Sequence, residues 1–531
     1  MVGRRAVLWL VLAVLVAVEP NPVHEEAGAE GGRLPAADGR ARRVLRVGIT
    51  PVGGLDPAQV RSIEQALVVD QLFDSLTAVH PTTLEPVPAL AARWESSPDQ
   101  RLWTFFLRPG ASFANGRAVT AADVKYSYER VARRGSGSPG SDLLRLVSGY
   151  TAFRTDAPEL VGVAAPAPDV VQIALDEPWG VLPSVLASPV LSVVPAEAVE
   201  AAEPVFADAP VGSGPFRVER LEGGVLSLVP VPGAEVSIDG VDFVQFDDVG
   251  GAYRAFTRGE VDWARVPPQD VQEAARRYGD GGFRPYVAQL FYGFNLGSPK
   301  LADARFREAI VRAIDRRAIV AAVYQGTVRP LDGVVVAGVP GHQPAACARC
   351  AYDPARSKAL LAELFPRGTP GPPEVGLDYD ADPTQEALAR AVQANLAEVG
   401  LRVTLRPQPV NDYDDFALSG RQEVFRLGWI AAYPSPDAFL SPLFMSGSPD
   451  NLVGFARPDV DEQLRAARAE ANAARRVALF QEAERAILDQ VPVIPVAQLE
   501  LHSVVSERAR NLRLTALGTF DASTVALAGR R

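Results

Sequence analysis

Apolar and polar positions alternate along Val44-Leu45-Arg46-Val47-Gly48-Ile49, the period of a strand with one buried face. Residues 63–77 carry helical spacing, and Thr104-Phe105-Phe106-Leu107-Arg108 reads as the next clear strand. Asn115-Gly116 predicts a hairpin turn, because both residues accept the positive φ of a type I′ turn. Thr120-Ala121-Ala122-Asp123 has the form of a capping box and should start a helix running to Arg133. A Gly/Ser/Pro loop follows at 135–140. Strands are expected to dominate 161–244, followed by a helix at 253–258 and a short strand at Asp262-Trp263-Ala264.

The second half has the clearer periodicity. Phe306, Ile310, Ala313 and Ile314 make a helical stripe with Asp303 as its cap. Residues 374–379 read as a strand, Leu388, Val392, Leu396 and Val399 as one helix face ended by Gly400, and Leu401, Val403 and Leu405 as a second strand. Strand, helix, strand in that order predicts a crossover unit on a parallel sheet. Amphipathic helices are expected at 458–470 and 473–489, and a closing strand at 491–496. The class is therefore α/β with mixed sheets. No linker divides the chain cleanly, which suggests lobes built from discontinuous segments, joined by crossings that act as a hinge.

Composition narrows the function. The chain has 531 residues, long enough for two to four lobes. Its net charge of −11 argues against a nucleic-acid partner and suits a monomer. Arg4 and Arg5 precede an apolar run at 6–18, too short for a stable span; export is expected, and a cleaved signal and a retained anchor both remain open. Residues 19–43 read as a spacer, with no cysteine after the run for lipid attachment.

Little in the sequence supports catalysis. There is no Gly-x-Ser-x-Gly elbow, no P-loop and no His-Glu-x-x-His. Gly135-Ser136-Gly137-Ser138-Pro139-Gly140 fits Gly-x-Gly-x-x-Gly but follows a helix, and Pro139 interrupts it, so a plain loop is the better reading. Cys347 and Cys350 are the two cysteines; zinc would need four ligands and only His342 is near, and the loop setting does not suit a redox pair. A structural disulfide fits best and agrees with export. No cofactor or metal is expected. The aromatic segments Phe291-Tyr292-Gly293-Phe294-Asn295 and Gly428-Trp429-Ile430-Ala431-Ala432-Tyr433 suit a binding cleft, with plain core packing as the other reading.

An ordered series of short motifs then carries a resemblance. Leu55-Asp56-Pro57, Val87-Pro88-Ala89-Leu90-Ala91 with Trp94, and the run from Trp103 to Gly110 are followed by Phe113-Ala114-Asn115-Gly116 and Thr120-Ala121-Ala122-Asp123-Val124. Val211-Gly212-Ser213-Gly214-Pro215-Phe216, Gly259-Glu260-Val261-Asp262, Arg307-Glu308-Ala309 and Ala313-Ile314-Asp315-Arg316 continue it. Tyr352-Asp353-Pro354, Gly428-Trp429 to Phe439-Leu440 and Pro492-Val493-Ile494-Pro495 close it. Over roughly 44–520 the chain resembles the family 5 extracellular solute-binding proteins, which serve ABC importers for oligopeptides, dipeptides and, in some members, nickel.

The resemblance implies a periplasmic-binding-protein-like, three-domain pear whose two lobes close on a hinge. Domain I would take 44–78, 206–284 and 491–531, domain II 79–205 and domain III 285–490. It implies a small solute, peptide or peptide-like, delivered to membrane permease subunits, and an extracytoplasmic location. A ligand-sensing regulator reusing the fold is the second reading. Trp429, Tyr433, Phe294 and Asn295 are the expected ligand contacts, with Asn451 a lower one. Four histidines make protein-held nickel a poor fit. In peptide-binding members an Asp three residues after the tryptophan pairs with the ligand's amino terminus. Here that position is Ala432, so Asp437 or another carboxylate would have to take that role.

Overall fold

Strand Val44–Ile49 is the first element of the computed structural model, which describes residues 42–202 and 205–529. The expected signal or anchor and nearly all of its spacer lie outside those residues. Alternation works here as the sequence implies: Leu45, Val47 and Ile49 are buried. The strand pairs in parallel with Gly240–Gln245 and with Trp263–Arg265. Antiparallel neighbours complete a six-stranded sheet in the order Ser503–Val505, Trp263–Arg265, Val44–Ile49, Gly240–Gln245, Val225–Pro230, Phe216–Glu222. Three separated stretches of sequence thus build one sheet.

A four-stranded antiparallel sheet is drawn entirely from the stretch between the first two of these: Ala91–Ser96, Leu102–Leu107, Val170–Ala174 and Val163–Ala167. Helix Ala121–Ala132 packs on it, started by the expected capping box of Thr120 and Asp123. The third large sheet has the order Val328–Pro330, Val493–Leu501, Arg284–Phe294, Val424–Ile430, Val375–Asp380, Val403–Gln408. Its parallel pair, Val375–Asp380 with Val403–Gln408, is joined by helix Pro383–Glu398, and Gly400 takes φ +86° just beyond it. The fold is mixed α/β, as expected.

Four sequence readings change. The helix expected over 63–77 is Ile63–Leu72, because the Leu72 carbonyl is taken by the Gly214 N–H at 2.9 Å and the chain leaves as extended Phe73. Asn115-Gly116 does form a tight turn, with Gly116 at φ +86°, but it is closed by the single bridge Ser112–Ala118, not by paired strands. Helices Leu182–Val185 and Ala196–Ala202 interrupt the strand-rich stretch expected over 161–244. Strand Val493–Leu501 pairs with Arg284–Phe294, so the crossing back to the first sheet falls at His502, later than the boundary read at 491.

The Gly212-Ser213-Gly214 segment is where backbone meets backbone. A Cβ at Gly212 would lie 1.9 Å from the Leu72 carbonyl oxygen, and one at Gly214 2.6 Å from the Leu72 carbonyl carbon. Ser213 Oγ accepts from the Asp74 N–H at 3.1 Å. Gly212→Ala is therefore expected to destabilise by about 3 kcal/mol, through forced separation of the two segments. Denaturant unfolding measures this, and an unchanged midpoint would contradict it.

Candidate ligand cleft

A cleft of about 1350 Å³ runs between the sheets, lined from both sides. One wall comes from the first sheet's unit and the 79–205 stretch: Asp70, Asp74, Arg108, Asp142, Arg145 and Asp521 face it. The other comes from the end of strand Val424–Ile430 and the turn after it, with Trp429, Ala432 and Tyr433, and from the turn after helix Asp437–Phe444, with Asp450. Such a volume suits a small organic solute or a short peptide.

The aromatic wall is set by its own hydrogen bonds. Trp429 Nε1 donates to the Ala438 carbonyl at 2.7 Å, which ties the edge of the indole to the start of helix Asp437–Phe444. Tyr433 donates its hydroxyl to Asp437 Oδ2 at 2.8 Å. Ala432 stands between them, exposed to the cleft. Burial and the Asp437 charge push the Tyr433 hydroxyl well above its usual range, so it stays a neutral donor.

Asp437 itself is fully buried and does not face the ligand space. Oδ1 accepts from Ser441 Oγ at 2.5 Å and Arg468 Nε at 2.7 Å; Oδ2 accepts from Tyr433 and from Trp179 Nε1 at 2.9 Å. A carboxylate has about four lone-pair sites, and all are engaged. Burial alone would raise its pKa, but the Arg468 charge and these donors outweigh it and hold the carboxyl down at about 2. Asp437 therefore has nothing left for a ligand amine.

Three other expected contacts also lie elsewhere. Phe294 is core, with no exposed surface. Asn295 donates to the Gly420 and Gln422 carbonyls and accepts from the Gly297 N–H, fixing a turn. Asn451 does the same for its own turn, donating to Met445 and Phe455 carbonyls and accepting from the Phe455 N–H. Both are asparagines spent on backbone, a common use of that side chain at turns. Cys347 and Cys350 form a disulfide and are buried just ahead of helix Pro354–Leu364.

The carboxylates that do face the cleft were not picked out from the sequence. Asp70 lies in helix Ile63–Leu72 and Asp74 two residues beyond its end. The neighbouring Gln71 is buried and grips the C-terminal segment: Nε2 donates to the Phe520 carbonyl at 2.7 Å, and Oε1 accepts from the Ala522 N–H at 2.9 Å. That grip sets Asp521 beside Asp70. Loss of hydration and repulsion from Asp521 push the Asp70 carboxyl up to about 7, against a hydrogen bond from Thr519. The Asp70 side chain keeps an exposed face in the cleft. Asp74 is raised to about 6 by burial, although Arg108 pairs with it at 3.0 Å and opposes the rise. A charged residue directly after an apolar run, as in Leu67-Val68-Val69-Asp70, was the available signal. Among the described residues, no group of three His, Cys, Asp or Glu is placed to hold a metal ion.

A two-lobed α/β chain with an open, mixed-polarity cleft is the architecture of a solute-binding protein. The comparisons agree. Residues 85–451 match the bacterial extracellular solute-binding proteins, family 5 middle region. The dipeptide-binding protein DppE of Bacillus subtilis is 24% identical over 456 residues, covering 82% of this chain and 83% of its own. The periplasmic murein peptide-binding protein MppA of Escherichia coli is 26% identical over 461 residues, covering 84% and 85%. The unliganded open form of MppA superposes with a TM-score of 0.83, at 24% identity, over 92% of this chain and 98% of that one. The chain belongs to the family 5 bacterial extracellular solute-binding proteins.

Proposed function

We propose that this chain is an extracytoplasmic receptor that captures a peptide or peptide-like solute with a cationic group and delivers it to an ABC importer permease. The carrying observation is the division of charge in the cleft. The wall that holds the ligand amine in peptide-binding members has Ala432, its buried Asp437 is saturated, and it shows the single acid Asp450 to the cleft. The opposite wall gathers Asp70, Asp74 and Asp521, with Arg108 paired to Asp74. An ammonium group is costly to desolvate without a partner, and that wall supplies one. Trp429 and Tyr433 then offer flat apolar area to the rest of the solute. The names of the relatives, which include dipeptide- and murein peptide-binding proteins, support the peptide class. Nothing in this reading calls for turnover: the cleft's work is to bind and to close, with closure favoured because the shut form holds solute better.

A thermal-shift screen tests it, with di- to pentapeptides, their N-acetylated forms and small sugars. Free-amine peptides at about 100-fold their dissociation constant should stabilise by roughly 2.7 kcal/mol, and acetylated ones by clearly less. Stabilisation by acetylated peptides or sugars alone would overturn the cationic reading and leave a receptor for a neutral solute.

A further inference from the structure

Trp179 belongs in sequence to the unit built on the four-stranded sheet, yet its side chain is buried in the unit built on the third sheet. Its indole Nε1 donates 2.9 Å to Asp437 Oδ2, and its ring meets Tyr433 edge-on at 6.0 Å. Its own backbone N–H stays with its own unit, on the Gln100 carbonyl at 3.1 Å. The next residue continues the insertion: the Gly180 N–H donates to the Arg468 carbonyl at 2.7 Å, and a Cβ there would lie 3.0 Å from both the Arg468 and Glu470 carbonyl oxygens. Any larger residue would crowd both carbonyls, so glycine suits this close approach of two backbones. Arg468 in turn holds Asp437. The Trp179 ring also lies 5.9 Å from the Arg145 guanidinium, and Arg145 faces the cleft.

Trp179 is therefore flanked by one cleft residue from each wall, Arg145 and Tyr433, without lining the cleft itself. Withdrawing it would strand a buried carboxylate–guanidinium pair with one donor fewer, so this seam resists sliding. We propose that Trp179 is a positioning residue for ligand binding: it pins the 79–205 unit to the 285–490 unit at one end of the cleft, sets Arg145 against Tyr433, and leaves the opposite end of the cleft to open and close about it. The inference concerns the cleft of the proposed receptor, but its test needs no ligand.

Distances between spin labels on the full-length apo protein provide that test. One pair spans the seam, Asp176→Cys with Ala471→Cys, and another spans the mouth, Glu235→Cys with Pro449→Cys. The native cysteines are paired and buried, so they do not take label. The seam pair should give one narrow distance and the mouth pair a distribution at least twice as wide. Trp179→Phe and Asp437→Asn should each at least double the seam width. Phe153→Leu, buried on helix Tyr150–Thr155, should lower Tm and leave the seam narrow. A native seam as broad as the mouth, or a seam unmoved by both substitutions, overturns the proposal. The failure of every peptide in the thermal screen would leave these distances untouched, so the two readings fail separately.

Discussion

Arg468→Met is expected to cost about 3–5 kcal/mol, because it leaves the Asp437 carboxylate buried without its counter-charge. In a unit of this size that corresponds to a Tm lower by about 10 °C for the affected transition. The pH dependence identifies the cause. In the native protein Asp437 is held at about 2, below its ordinary value, so its contribution is present above the ordinary carboxylate range and lost as pH falls through about 2. Without Arg468, burial dominates and the carboxyl is raised instead. The variant's deficit should then shrink as pH is lowered toward 4, where the acid can be buried neutral. Asp437→Asn combined with Arg468→Met should recover part of the loss, since no lone charge remains. Calorimetry of the three proteins between pH 4 and 7 measures all of this. A single variant within 1 °C of native, or a deficit constant with pH, would show that the pair is not carrying charge energy.

The elements of the fold were readable where one face is wet and one dry. The capping box at Thr120, the helix stripe after Asp303 and the strand–helix–strand unit ending at Gly400 all follow from local period and local caps. Strand Val493–Leu501 is buried almost throughout, so it has no alternation to show which sheet it joins. The aromatic wall was legible as well, since Trp429 and Tyr433 sit in one short motif. The acidic wall was not. Asp521 reaches Asp70 only because the Gln71 side chain bonds a segment 451 residues away, and no local pattern encodes such a meeting. Asn295 and Asn451 misled for the converse reason: an asparagine beside an aromatic run looks like a ligand contact, but turn backbone nearby claims its amide first.

Replacing both Asp70 and Asp521 with asparagine is expected to weaken binding of an amine-bearing peptide by about tenfold or more, and to leave N-acetylated peptides unaffected. Each change removes charge with little change of shape, and Asp74 with Arg108 then forms a neutral pair on that wall. The native protein should show the same dependence as a function of pH. Asp70 and Asp74 are raised, to about 7 and about 6, so in the empty cleft they carry protons at mildly acidic pH. A bound cation favours the ionised forms, so binding releases protons and affinity should climb from pH 5.5 to 8, by about tenfold. Stability of the empty protein runs the other way. Groups raised on folding contribute stability below their unfolded values, and that contribution is lost as pH rises through 6 and 7. The apo Tm should therefore fall across this window while the liganded Tm falls less, so the ligand-induced shift widens with pH. Titration calorimetry in two buffers of different ionisation enthalpy counts the protons directly. Binding with no proton release and no pH slope would mean that the solute's charge is read elsewhere, with Asp142 and Asp450 beside Arg145 the next acids to test.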